Sequence, residues 1–466
     1  MEGTSQARSL VGRVRRAAMI QQKYMHALGA LICALVLAFG VFVATGCSSV
    51  LSPESDNDAV HLIIKVPDTK HTAASDGTIT SIDQVIQRMV DAYAEDHPEK
   101  NVTIEVQTFE QDGYESNIVE CYGTDEAADI LYADYFNMTT FIHDGRVVPL
   151  DDIITDEIRD DIYDYIWDES TFDGRVYAMP YLTRQNVLAY NKDLFYQAGL
   201  EDFVSINEIQ SWSHEEWDYV LDTLAQNLPE GTYPMMMYAK SDQGDTHIMA
   251  LLGSRGSTLY DESGHMILSE PEGVAGLEEI CQGVDRGWFP PHAQNLDIND
   301  CSSLFKQGQL AIYFLNNVSY ARYGSSVGLV NFPGTDGGIA TTFTSGFEVF
   351  DNDDPNRVAA AKDFLSYVYS NQDLLAYAAG ALPASQSVAQ EYRYEIQGFD
   401  LFEDNYTNVI NIFGDNPDVR GVREHFHVVI ADLLAGRITA EEAAQTLDET
   451  CNAVIDEGYA TSQLHK

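Results

Sequence analysis

The sequence runs to 466 residues and sets 26 Lys and Arg against 73 Asp and Glu, a formal net charge of −47. So acidic a chain repels phosphate backbones and anionic headgroups, which excludes nucleic acid and a bare anionic membrane surface as partners. The scattered carboxylates read as a solvated surface and name no ligand.

The first 46 residues do not read as part of a fold. Arg8, Arg13, Arg15, Arg16 and Lys23 precede an apolar run over 27–44 that leads into Val43-Ala44-Thr45-Gly46-Cys47. A positive n-region, an apolar h-region and small residues before a cleavage point make a secretory signal. The ending resembles the lipobox of bacterial lipoproteins, with Ala44 where Leu is usual. That resemblance implies cleavage before Cys47, a lipid on its thiol and a cell-membrane location on the outer face. Residues 47–58 then read as a flexible polar tether. The apolar run also approaches the roughly 20 residues that span a bilayer. Left uncleaved, it still places the rest of the chain outside, because positive residues stay inside. Removing the leader takes those five basic residues and Glu2 with it, leaving 21 Lys and Arg against 72 Asp and Glu, or −51. The 420 residues from Cys47 onward exceed one ordinary core and suit two lobes.

From residue 60 onward, short apolar strands alternate with amphipathic helices. A strand is predicted over 60–66. Ile82, Val85, Ile86, Met89, Val90 and Tyr93 follow at helical spacing, up to His97-Pro98. The alternating strand 102–106, a polar helix and a strand over 129–133 come next, a pattern that implies a parallel sheet covered by helices. Ligands in such sheets sit beyond the carboxyl ends of the strands, which singles out Phe109-Glu110-Gln111 and Asp134-Tyr135-Phe136. Thr183, Arg184, Gln185 and Asn186 set polar side chains into an otherwise apolar passage. Buried polar groups need partners, and either a ligand's hydroxyls or hinge backbone supplies them. Tyr238 and Asp242, after the strand-like 235–237, make a candidate loop; the methionines themselves read as core. Asn316 and Asn317 follow the apolar run 311–315, and an amide both donates and accepts. Trp212, Trp217 and Trp288 are expected to pack helices. Cys121, Cys281, Cys301 and Cys451 show no metal-like spacing. A Cys281–Cys301 bridge, a Cys121–Cys451 bridge and buried free thiols all stay open.

No G-x-S-x-G, Walker A, G-x-G-x-x-G or H-E-x-x-H occurs. His425-Phe426-His427 has the wrong helical phase for two metal ligands. The acidic runs 297–300 and 351–354 lack the spacing and final Glu of a calcium loop. No enzyme, cofactor or metal site is expected.

Phe172-Asp173-Gly174-Arg175-Val176-Tyr177-Ala178-Met179-Pro180-Tyr181, followed by Tyr190-Asn191-Lys192-Asp193-Leu194-Phe195, resembles the family 1 extracellular solute-binding proteins, to which maltose-binding protein belongs. Further matching motifs are Phe305-Lys306-Gln307-Gly308-Gln309-Leu310-Ala311-Ile312, Phe332-Pro333-Gly334, Thr344-Ser345-Gly346-Phe347 and Gly380-Ala381-Leu382-Pro383-Ala384. The resemblance covers nearly all of 59–457. It implies an α/β fold: a two-lobed periplasmic-binding-protein-like clamp of type II, each lobe a mixed, mainly parallel sheet flanked by helices, closing on a ligand. The implied boundaries are a first lobe over 59–183 with a return segment near 316–350, and a second lobe over 184–315 and 351–466. Together with the residue reading above, the resemblance gives the expected ligand contacts Arg184, Thr183, Gln185, Asp134, Tyr135, Glu110, Asn316, Asn317, Tyr238, Asp242, Gly346 and Phe347. Arg184 falls where maltose-binding proteins place a ligand-contacting Glu, and the family's Trp after the 311–315 run is missing, with Tyr320 and Tyr323 as possible replacements. Thiaminase I resembles the same fold but needs a cysteine nucleophile in this strand, where Thr183 or Arg184 stands. The expected partners are a small solute, a sugar foremost, and the permease subunits of an ABC importer, with the chain a monomer. A peptide, polyamine or metal chelate in the same clamp, or a sensor or adhesion role without transport, remain alternatives.

Overall fold

A computed structural model describes residues 59–464 apart from 69, 73–78, 111–113, 335–336, 376–380 and 415. The leader, the tether and Cys47 lie outside the described residues. Strand β1 (Val60–Pro67), helix α1 (Ile82–Asp96) and strand β2 (Val102–Phe109) form the opening unit. The helical apolar residues read from the sequence are all buried on α1. β1 pairs in parallel with β2 and with β3 (Ile130–Asp134).

The motif that carried the resemblance has a local physical basis. Asp173 and Gly174 take φ 49° and 71°, the paired positive values of a two-residue hairpin turn joining Thr171–Phe172 to Arg175–Val176. The long strand β4 (Ala178–Asn191) follows. At its end the Asn191 side chain accepts from the Leu194 amide at 3.2 Å and caps the helix Lys192–Ala198. Gly199, at φ 81°, closes that helix in the left-handed conformation.

Four further strands of the main sheet are β5 (Tyr233–Met235), β6 (Leu310–Asn316), β7 (Val327–Val330) and β8 (Ala340–Val349). They join one mixed sheet in the order β5-β6-β4-β8-β3-β1-β2, with β7 also on β4. Among the described residues, the apolar side chains gather mainly around two centres. The first holds Leu62, Ile86, Tyr181 and Phe347, and the second Val187, Leu188, Trp217 and Ile312. Met235, Met236 and Met237 are buried in the second. Trp212, Trp217 and Trp288 are buried there too, the last two donating to Glu279 and Asp222 at 2.9 Å. β4 passes from the first centre to the second, and its antiparallel partner β8 makes the return.

Two expected boundaries need correction. The return does not begin at 316. Asn316 instead accepts from the Ser319 amide at 2.9 Å and caps a short helix, Asn317–Tyr320. The chain then turns back as β7, which pairs with β4 in the second core. The crossing is β8, from Ala340. Nor does everything after 351 belong to the second core. Helix α2 (Pro355–Ser370) buries Ala361, Phe364, Leu365 and Val368 against β1 and α1, because a parallel sheet needs apolar cover on both faces. Arg357 fixes it there through the buried Asp129, at 2.6 Å. Cys121, Cys281, Cys301 and Cys451 are free thiols, and burial pushes Cys301 and Cys451 up to about 12.

Candidate functional site

Where β4 and β8 cross between the two centres, the chain leaves a cleft of about 770 Å³. On its floor, the Arg184 guanidinium donates to Asp134 and, at 3.1 Å, to the Ser345 hydroxyl. Ser345 in turn donates to Asp134. β4, β8 and β3 thus each supply one member of a closed polar triangle. Arg184 Nε is buried and has no partner among the described residues. Asn186 and Asn316 add amides to the same floor.

A second wall comes from far along the chain. Helix α3 (Val419–Leu434) turns Arg420, Arg423, Glu424 and His427 toward the cleft, the i, i+3, i+4, i+7 stripe of one helix face. Arg423 is clamped by two hydrogen bonds to Asp245, at 2.5 and 3.2 Å. Its guanidinium lies over the rings of Phe136 and Phe413, 5.0 and 5.8 Å from their centroids. Phe136, Phe343 and Phe413 pack ring to ring, and the first two face the cleft. Tyr238 also lines the cleft, its ring tilted against that of His247 with centroids 4.2 Å apart. Both His247 nitrogens lack partners among the described residues, and burial lowers its pKa to about 3, so it packs as a neutral ring.

Of the residues singled out by sequence, Arg184, Asp134, Asn316, Tyr238 and Asp242 line the cleft. Phe109, Phe136 and Asn186 line it too, whereas Thr183, Gln185, Tyr135, Glu110, Asn317, Gly346 and Phe347 do not. Successive side chains on a strand point to opposite faces, so Arg184 and Asn186 face the cleft while Thr183 and Gln185 face away. Thr183 bonds the Thr342 hydroxyl at 2.8 Å, and the Gln185 amide donates to the Phe402 carbonyl at 2.9 Å. Asn317 is buried and accepts from the Gln185 backbone at 3.1 Å. Tyr135 turns away from its neighbour Asp134 into the protein. Phe347 packs on Tyr132 and Tyr181. Gly346 serves close approach, since a Cβ there would stand 2.3 Å from the Met179 carbonyl oxygen. Glu110 is exposed off the cleft, where Phe109 takes its place. Tyr320 and Tyr323 pack against the second core. The aromatic wall that a missing Trp left in doubt is supplied by Phe136 and Phe343.

The residues missed by sequence are chiefly Phe343, Ser345 and the α3 stripe; Phe136 was marked only by its place beyond a strand's carboxyl end. The stripe's spacing was readable, but nothing local tied it to a strand more than 200 residues earlier. No cysteine lines the cleft, and no group of three or more His, Cys, Asp or Glu among the described residues is placed to hold a metal. The arrangement offers fixed hydrogen-bonding groups beside aromatic faces, which is equipment for holding a solute.

Comparison with known proteins agrees. The chain is 24% identical over 245 residues to the mannitol-binding protein of Pseudomonas aeruginosa, covering 51% of this chain and 53% of that one. It is 23% identical over 191 residues to the arabinooligosaccharide-binding protein of Halalkalibacterium halodurans, covering 40% of each. The chain thus spans about half or less of the curated relatives it matches. The structure of the sugar-binding protein MalE from Xanthomonas citri superposes with a TM-score of 0.69 at 16% identity, covering 85% of this chain and 98% of that one. That likeness shows the periplasmic-binding-protein fold. The family model for the bacterial extracellular solute-binding protein matches residues 76–373, more than half of the sequence. The chain therefore belongs to the bacterial extracellular solute-binding protein family, whose members bind their solutes without catalysis.

Proposed function

We propose that the cleft binds a small carbohydrate, foremost a short oligosaccharide, by closure of two lobes about β4 and β8, and presents it to an ABC importer. The observation that carries this reading is the pairing, in one cleft of about 770 Å³, of the Arg184–Asp134–Ser345 triangle with the aromatic faces of Phe136 and Phe343. A sugar has hydroxyls for the first and C–H faces for the second. The volume falls in the roughly 300–1,000 Å³ range of small-molecule sites. Asp134 is already neutralised by Arg184, which speaks against a polyamine as the ligand. The sugar-binding names among the relatives and the superposed structure point the same way. The same reading places the chain at the outer face of the cell membrane, cut before Cys47, carrying lipid on that thiol and tethered through 47–58.

Thermal unfolding in the presence of oligosaccharides, sugar alcohols, polyamines and short peptides tests the ligand class. A sugar or sugar alcohol at 100 times its Kd is expected to stabilise by about 2.7 kcal/mol. A response to polyamines or peptides with none to sugars overturns the reading. Mass spectrometry of the mature N-terminal peptide tests the anchor, which fails if Cys47 carries no lipid.

A further inference from the structure

Behind the aromatic wall lies a second chamber of about 30 Å³. Phe136 and Phe343 line both spaces, and Tyr135, Thr139, Glu169 and Thr344 complete the polar side of the small one. It has room for a single water-sized guest. Four buried oxygens of this lining, Tyr135 Oη, Thr139 Oγ1, Glu169 Oε2 and Thr344 Oγ1, make no hydrogen bond of good geometry among the described residues, although Thr344 lies close enough to Glu169, and Ser170 to Tyr135, to act on them. Single orphaned polar atoms are uncommon in protein interiors. Here four oxygens from separate elements converge on one void.

The charges identify the guest. The charged groups acting on the Glu169 carboxyl are Asp134 and Asp168, both of its own sign. Burial, the largest cause, raises its pKa to about 7, eased only by the Thr344 hydroxyl. Tyr135 and Tyr165 nearby are held as neutral phenols by burial. One carboxylate with three neutral hydroxyls is balanced by a single positive charge. All-oxygen donors suit a hard cation over a transition metal, and the flanking rings add favourable faces.

We propose that this chamber binds a monovalent alkali cation on Glu169, Thr344, Thr139 and Tyr135. Its walls come from separate clusters: Tyr135 packs with Met138, Phe141 and Phe350 in a smaller cluster, Phe413 belongs to the second core, and Thr344 lies on the crossing strand β8. An ion held there favours the arrangement in which those walls meet. By linkage it tightens ligand binding by the same factor as the ligand tightens the ion. The site itself does not depend on the solute being a sugar, because its first test uses protein without ligand.

The full chain is unfolded thermally at constant ionic strength while NaCl replaces N-methylglucamine chloride, from about 1 to about 150 mM, a range in which mass action registers on the melt. The melting temperature is expected to climb with the logarithm of Na⁺ concentration above pH 7. Glu169→Gln, nearly isosteric, is expected to flatten that slope. Thr344→Val, which leaves the carboxylate in place, is expected to weaken it, and ²³Na relaxation broadened by the wild type is expected to narrow in both variants. A melt indifferent to Na⁺, or one whose dependence survives Glu169→Gln, overturns the proposal. A melt that follows pH alone and loses that response in Glu169→Gln also overturns it, assigning the chamber to a protonated carboxyl and a water.

Discussion

Arg184 and Arg423 stand on different walls of the same cleft, and each holds an aspartate. The Arg184–Asp134 side chains are both 20% exposed, the pair faces the open volume, and one guanidinium nitrogen has no partner among the described residues. Arg423 is 11% exposed and its Asp245 not at all, with two hydrogen bonds between them and aromatic rings over the guanidinium. Identical chemistry thus serves two purposes, and burial separates them. The exposed pair keeps donors for a ligand, whereas the buried pair is a strut that holds α3 beside Phe136.

The sharpest way to break this contrast is Arg423→Ala. It leaves a wholly buried carboxylate uncompensated, a loss of about 3–5 kcal/mol in folding stability, read by chemical denaturation. A loss below about 1 kcal/mol would mean that the pair is no strut. Next, Arg184→Ala should erase the ligand-induced stabilisation, about 2.7 kcal/mol at 100 times Kd. The ligand-free protein should lose only about 1 kcal/mol, because the pair is partly solvated. Gln185→Ala, one residue along the same strand, should do the reverse. Losing the bond to the Phe402 carbonyl should lower stability by about 1–3 kcal/mol and leave the ligand shift intact. If the ligand shift disappears instead, the assignment of alternate faces on β4 is wrong. Glu110→Ala should be the mildest, within about 0.5 kcal/mol in stability and silent in ligand titrations by calorimetry.

Much of the molecule was legible beforehand because its signals are local. The apolar spacing of α1 depends on a few neighbouring residues, and the structure buries them as expected; the turn at Asp173-Gly174 and the Asn191 cap are equally local and underlie motifs that were read only as a resemblance. Arg184 and Asp134 were also legible: one is a polar residue in an apolar strand, the other lies at a strand's carboxyl end. What failed was the treatment of neighbours as equivalents. Thr183 and Gln185 share Arg184's polarity but not its face. Asn317 and Tyr135 adjoin true lining residues and turn inward. The lobe boundaries failed for a related reason, since α2 follows the crossing in sequence yet covers the sheet of the first core.

By itself, then, the sequence determined the alternation of strands and helices, the crossing strand with its polar insert, and the membership that its motifs announced. These follow from backbone preference and side-chain period, which act over a few residues. Only the tertiary structure decided which arginine is buried and which is open. It also decided that α3 closes the cleft, and that four oxygens from separate elements surround one small chamber. Burial and convergence are properties of space, fixed when segments hundreds of residues apart pack together, and no local pattern encodes them.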